Sequence, residues 1–162
     1  MLEKNRFIFF VGFMGSGKTY IGRKIAAKIN FHFYDLDKEI EKLTSLPIIK
    51  IFDKYGESYF RELESRILLK WNKQGVIATG GGIIGIKENR NFLNNSKVTV
   101  VWLDPSWKTI FSRITKSDRP LIKLFSEEQL YELWEKRRKF YLECANIVYQ
   151  KNDLNELISL LY

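Results

Sequence analysis

Gly12-Phe13-Met14-Gly15-Ser16-Gly17-Lys18-Thr19 decides the fold. The stretch satisfies G-x-x-x-x-G-K-[ST], a loop whose backbone N–H groups cradle phosphates. Before it runs Phe7-Ile8-Phe9-Phe10-Val11, short and wholly apolar, which reads as a buried strand. After it, Ile21, Ile25, Ala26 and Ile29 recur at helical spacing. Strand, glycine loop and helix stand in the order the pattern requires, and the helix N-terminus adds its positive dipole end. In this pattern Gly12, Gly15, Ser16 and Gly17 line the anion, Lys18 reaches the β- and γ-phosphates, and the Thr19 hydroxyl holds Mg²⁺. A glycine-rich turn that binds nothing would not need all eight residues and both flanks. The expected ligand is a nucleoside triphosphate.

Around this loop lie 162 residues, a length that suits one domain with a substantial core, 1–162. The single cysteine, Cys144, excludes an internal disulfide framework and suits a reducing compartment, so the cytoplasm is expected. No apolar run approaches membrane-spanning length, and Phe7–Val11 is too short for the core of a signal peptide. A net charge of +8 suits anionic small ligands or a nucleic-acid backbone, or simply reflects a lysine-rich proteome.

Short apolar runs alternate with amphipathic segments, the pattern of a parallel sheet covered by helices on both faces. Strands are predicted at Arg6–Val11, Phe31–Asp35, Val76–Thr79, Val98–Leu103 and Asn146–Tyr149. Helices are predicted at Gly17–Ile29, Lys38–Leu43, Ile48–Lys54, Tyr59–Trp71, Lys87–Asn94, Ser106–Thr115, Ser126–Glu143 and Leu154–Leu161. Ligands of such sheets sit beyond the carboxyl ends of the strands, so the polar residues after each strand matter most.

Asp35-Leu36-Asp37 follows the second strand. Its two carboxylates can divide phosphoryl transfer, one holding Mg²⁺ through water and the other orienting or deprotonating an acceptor hydroxyl. Either could instead cap the next helix. Arg61 stands four after Glu57 and three before Glu64, which by spacing alone reads as a surface ion-pair ladder. Thr79-Gly80-Gly81-Gly82 follows the third strand, and three glycines suit close backbone approach to a ligand. Lys116-Ser117-Asp118-Arg119-Pro120-Leu121 reads as part of a mobile lid over about 113–125, or as an ordinary loop. In the last long helix Leu130, Leu133, Trp134, Tyr141 and Cys144 mark an apolar face. Arg137 falls within that face and needs an anion, either a protein carboxylate or a carboxylate ligand; Lys136, Arg138 and Lys139 fall outside it.

Together these residues resemble the shikimate kinase family, along nearly the whole chain. The resemblance rests on residues 12–19, Asp35-x-Asp37, Phe60-Arg61-x-x-Glu64, Thr79-Gly80-Gly81-Gly82, Arg119-Pro120-Leu121, and Arg137 four before Tyr141. It implies a three-layer α/β/α P-loop fold with a five-stranded parallel sheet, nucleoside-monophosphate-kinase-like, with a substrate-binding helical segment over about 37–64. It also implies ATP and Mg²⁺, and transfer of the γ-phosphoryl group to the 3-hydroxyl of shikimate, a step towards chorismate and the aromatic amino acids. By that resemblance Lys18, Asp37 and Arg119 are catalytic, and Arg119 also binds nucleotide. Arg61 and Arg137 hold the shikimate carboxylate, Asp37, Gly81 and Gly82 meet its ring, Glu64 steadies Arg61, and the metal sits with Thr19 and, through water, Asp35. The chain departs from the family at Lys139, where proline is usual, and near Lys151-Asn152-Asp153, where the adenine-covering loop lacks the usual arginine and proline. A monomer that binds neither nucleic acid nor membrane is expected. Another small-molecule kinase of this architecture, such as a gluconate kinase, is the alternative; a nucleic-acid binder would rest on the basic run Lys136–Lys139.

Overall fold

A computed structural model of the protein describes residues 7–117, 120–151 and 153–162. Five strands, β1 (Phe7–Val11), β2 (Phe33–Asp35), β3 (Gly75–Ala78), β4 (Val98–Leu103) and β5 (Ile147–Tyr149), run parallel in the order β2-β3-β1-β4-β5. Around them pack α1 (Lys18–Lys28), α2 (Leu36–Thr44), α3 (Ile48–Leu69), α4 (Lys87–Leu93), α5 (Trp107–Ile114), α6 (Pro120–Leu124), α7 (Glu127–Cys144) and α8 (Leu154–Leu161). The chain thus forms the expected three-layer fold.

Central position explains why β1 shows no polar alternation: Ile8 through Val11 are fully buried on both faces. Its side chains still alternate. Phe9 and Val11 join Ile77, Val100 and Trp102 in a core completed by residues of α3, α4, α5 and α7. Ile8 and Phe10 point the other way, joining Val76, Val101 and Leu103 with α1 and α8. A smaller cluster, Ile40, Ile51, Phe60 and Leu63, fastens α2 to α3 beside the sheet.

Several boundaries move for local reasons. Asp35 Oδ1 accepts from the Asp37 N–H at 3.0 Å, so α2 starts at Leu36 rather than Lys38. The two helices expected at Ile48–Lys54 and Tyr59–Trp71 are one span, α3, broken at Gly56, where φ is 82° and ψ 173°. The lid expected over about 113–125 contains the short helix α6; its residue Arg119 lies outside the described residues.

Candidate active site

Each strand exit contributes to one face. After β1 the chain curls through Gly12, Gly15 and Gly17, all at positive φ, and Gly17 caps α1 at φ 94° without a side-chain cap. The first N–H groups of α1 are therefore left to an anion rather than to a capping side chain. Lys18, only 9% exposed, lies inside the curve, where Nζ donates to the Gly12 and Phe13 carbonyls at 2.8 and 2.9 Å. A cavity of about 440 Å³ opens over Gly15, Gly17, Lys18 and Thr19 and extends to Asp37 and Arg113.

Beside the loop, the Thr19 hydroxyl donates to Asp35 Oδ2 at 2.8 Å. One Asp35 oxygen thus caps α2, and the other turns to the phosphate loop. Among the described residues no three His, Cys, Asp or Glu side chains cluster as a metal cage. One hydroxyl and one carboxylate suit Mg²⁺, which keeps several waters and takes its remaining oxygens from phosphates.

The second cavity, about 590 Å³, lies between the third strand exit, α3 and α7. Arg61 Nη1 donates to Glu64 Oε2 at 2.5 Å, while Nε and Nη2 reach Glu57 Oε1 at 3.3 and 3.2 Å. This is no surface ladder, because the Glu64 side chain is 1% exposed. Burial pushes the Glu64 carboxyl above its usual range, with Arg61 opposing. Burial would lower the Arg61 guanidinium, but Glu64 and then Glu57 outweigh it and leave it raised. Arg137 lines the same cavity, its guanidinium 5.6 Å from the Phe13 ring centroid. Burial holds it below its ordinary value; Tyr141 opposes that and Arg61 adds to it. No carboxylate among the described residues forms an ion pair with Arg137. The Tyr141 hydroxyl, fully inside, donates to the Gly81 carbonyl and ties α7 to the third strand exit.

Both cavities include Thr19, Asp35, Asp37, Gly80 and Gly81, so they meet at Asp37. A third, of about 370 Å³, joins the phosphate cradle through Ile21 and Arg113 and runs between Pro105 and the Gln150-Lys151 pair. Arg113 stands at this junction, with Nη1 donating to the Gly15 carbonyl at 3.0 Å.

The shikimate kinase family model matches residues 14–160. A shikimate kinase of Persephonella marina is 43% identical over 142 residues, covering 86% of this chain and 85% of its own. The chain belongs to the shikimate kinase family. Its fold superposes on the shikimate kinase of Acinetobacter baumannii, solved in complex with shikimate, with a TM-score of 0.87, 35% identity and 98% of this chain and 91% of that one covered. The Aquifex aeolicus shikimate kinase gives a TM-score of 0.78 at 36% identity, with 94% and 91% covered.

Gly12, Gly15, Ser16, Gly17, Lys18 and Thr19 form one loop, and Asp35, Asp37, Arg61, Gly81, Gly82 and Arg137 gather beside it. The structure adds to the sequence reading at two further places. The glycine triplet serves protein packing as much as ligand access: a side chain on Gly80 would strike Glu64, and one on Gly82 would lie 2.5 Å from the Arg61 guanidinium. Arg138, outside the apolar face, still finds a buried partner, since Nη1 donates to Asp104 at 2.5 Å. Arg113 was missed altogether. It ends α5 among ordinary polar residues, and its contact with Gly15 is made far along the chain, where no local spacing could reveal it.

Proposed function

We propose that this protein transfers the γ-phosphoryl group of ATP to the 3-hydroxyl of shikimate, giving shikimate 3-phosphate and ADP in the route to chorismate. The observation that carries this reading is the junction at Asp37, which joins a phosphate cradle to a pocket holding two guanidinium groups. In this reading Arg137 and Arg61 clasp the ring carboxylate, the first because it is half-buried and desolvated without a described ion pair and the second because Glu64 holds its fork in place. Gly81 and Gly82 present backbone to the ring hydroxyls. Asp37 then orients the 3-hydroxyl and takes its proton as the oxygen attacks phosphorus.

On the nucleotide side, the loop amides and Lys18 stabilise charge on the transferring group. Arg119 would add a second cation as the lid closes, and closure would keep water from the γ-phosphate. Thr19 and, through water, Asp35 would hold Mg²⁺, which would supply charge neutralisation to the transferring phosphoryl group. The nucleoside would leave the cradle past Arg113, whose planar guanidinium suits stacking on a base. The protein is expected to act as a cytoplasmic monomer.

A coupled assay with ATP, Mg²⁺ and either shikimate or gluconate tests the reading. Rapid ADP release with shikimate and none with gluconate is expected, and the reverse would overturn it. Titration calorimetry should detect shikimate binding both alone and with ADP–Mg²⁺.

A further inference from the structure

Behind the third cavity sits a buried charge that phosphoryl transfer does not use. Asp104 follows β4 and is 4% exposed. Its backbone N–H donates to the Tyr149 carbonyl at 2.9 Å, tying it to the end of β5. Oδ1 accepts from Arg138 Nη1 at 2.5 Å, and Oδ2 accepts from Gln150 Nε2 at 3.0 Å. Arg138 is itself confined, with its guanidinium 5.2 and 4.7 Å from the Trp102 and Trp134 ring centroids. The carboxylate therefore cannot turn away from Gln150 without giving up this pair.

That arrangement settles an ambiguity every glutamine carries. A carboxamide has a donor end and an acceptor end of nearly equal size, and its neighbours decide which way it faces. A carboxylate paired with a guanidinium only accepts, so the amide nitrogen of Gln150 must face Asp104. Oε1 is then the end left for the cavity that Gln150 lines with Pro105, Thr109 and Lys151.

We propose that Gln150, oriented by Asp104, is a specificity determinant for the nucleotide base. Its fixed acceptor takes a hydrogen bond from the exocyclic amine of a 6-aminopurine and opposes the carbonyl that guanine carries at the same position. Asp104 is the positioning residue, because it touches no ligand and acts only by choosing the orientation of the amide. The inference rests on the nucleotide reading above, which brings the base past Arg113 into this cavity.

The test compares kcat/KM for ATP and GTP, at saturating shikimate and Mg²⁺, in the wild type, Asp104→Asn and Gln150→Leu. An asparagine at 104 can donate, so the glutamine amide is free to turn round; the ATP preference should fall about tenfold, the worth of one hydrogen bond in a partly solvated site. Gln150 is exposed, so Gln150→Leu keeps the fold and decides the matter if Asp104→Asn does not accumulate. It should lose the preference to a similar degree. An unchanged ATP to GTP ratio in the variants, or equal losses with both nucleotides, would overturn the proposal. So would a wild type that uses both equally. A wild type that phosphorylates shikimate with neither nucleotide would instead overturn the nucleotide reading on which the proposal stands.

Discussion

The carboxylate of Glu64 lies against Gly80, in the space that any side chain at that position would fill. Arg61 occupies the corresponding space at Gly82. The ion pair that presents a guanidinium to the second cavity is therefore seated on two missing side chains, and the strand exit and α3 fit only in this combination.

Gly80→Ala tests that seating. The added methyl must push Glu64 aside, and Arg61 follows its partner. Stability should fall by about 1–3 kcal/mol, the usual cost of overpacking. KM for shikimate should rise at least about tenfold, in keeping with a displaced charge-assisted contact. KM for ATP should change far less, because the phosphate loop is not moved. Steady-state kinetics with urea unfolding would check both halves.

For Arg137 activity and stability should part company. A half-buried, partly desolvated cation with no described carboxylate partner costs the free protein, so Arg137→Met should be neutral or stabilising by up to about 1 kcal/mol. Shikimate binding should weaken by about 2–5 kcal/mol, the cost of removing one member of a buried charge pair. Thermal unfolding and titration calorimetry measure the two. A destabilised variant with intact binding would return Arg137 to a purely structural role.

Asp37→Asn keeps the backbone N–H that Asp35 caps, so the fold should survive. It should lower kcat by about 10²–10⁴-fold, the range for lost acid–base help, with little change in KM for ATP. Lys18→Met should lower kcat by at least about 10²-fold through lost stabilisation of the transferring group.

Cys144 offers a pH signature away from the site. It is buried in the α7 face, and burial pushes its thiol from 9.0 up to about 11. Between those values the unfolded chain has released the proton while the folded chain retains it. The folded state then binds more protons, so stability falls as pH rises through the window. Cys144→Ala should remove up to about 2 kcal/mol of that decline. Denaturant melts of both proteins at pH 9 and 11 would show it, and native Cys144 should react slowly with thiol reagents at pH 8.

What was legible in the sequence followed the reach of each signal. The phosphate loop with its flanks is local, and so is the capping box of Ser126 and Gln129 that starts α7. The apolar face of α7 appears as read, with Leu130, Trp134, Tyr141 and Cys144 buried. Spacing placed Arg61 near Glu57 and Glu64 but could not say which side of α3 met the sheet. Gly80 and Gly82 read as close approach to a ligand, but the groups that approach them are the side chains of Glu64 and Arg61. The pairing of Arg138 is not local, because its partners, Asp104 and Trp102, come from another strand exit.

In the proposed reaction Asp35 would couple the metal side to the proton-transfer side, since one oxygen faces Thr19 and the other holds the backbone of Asp37. A drift in either would be felt by both, which leaves this corner little freedom to diversify. A relative that came to accept a different alcohol would have to change along the far wall, at Ile48, Phe52 and Arg61, where reshaping the pocket leaves the chemistry at its original address.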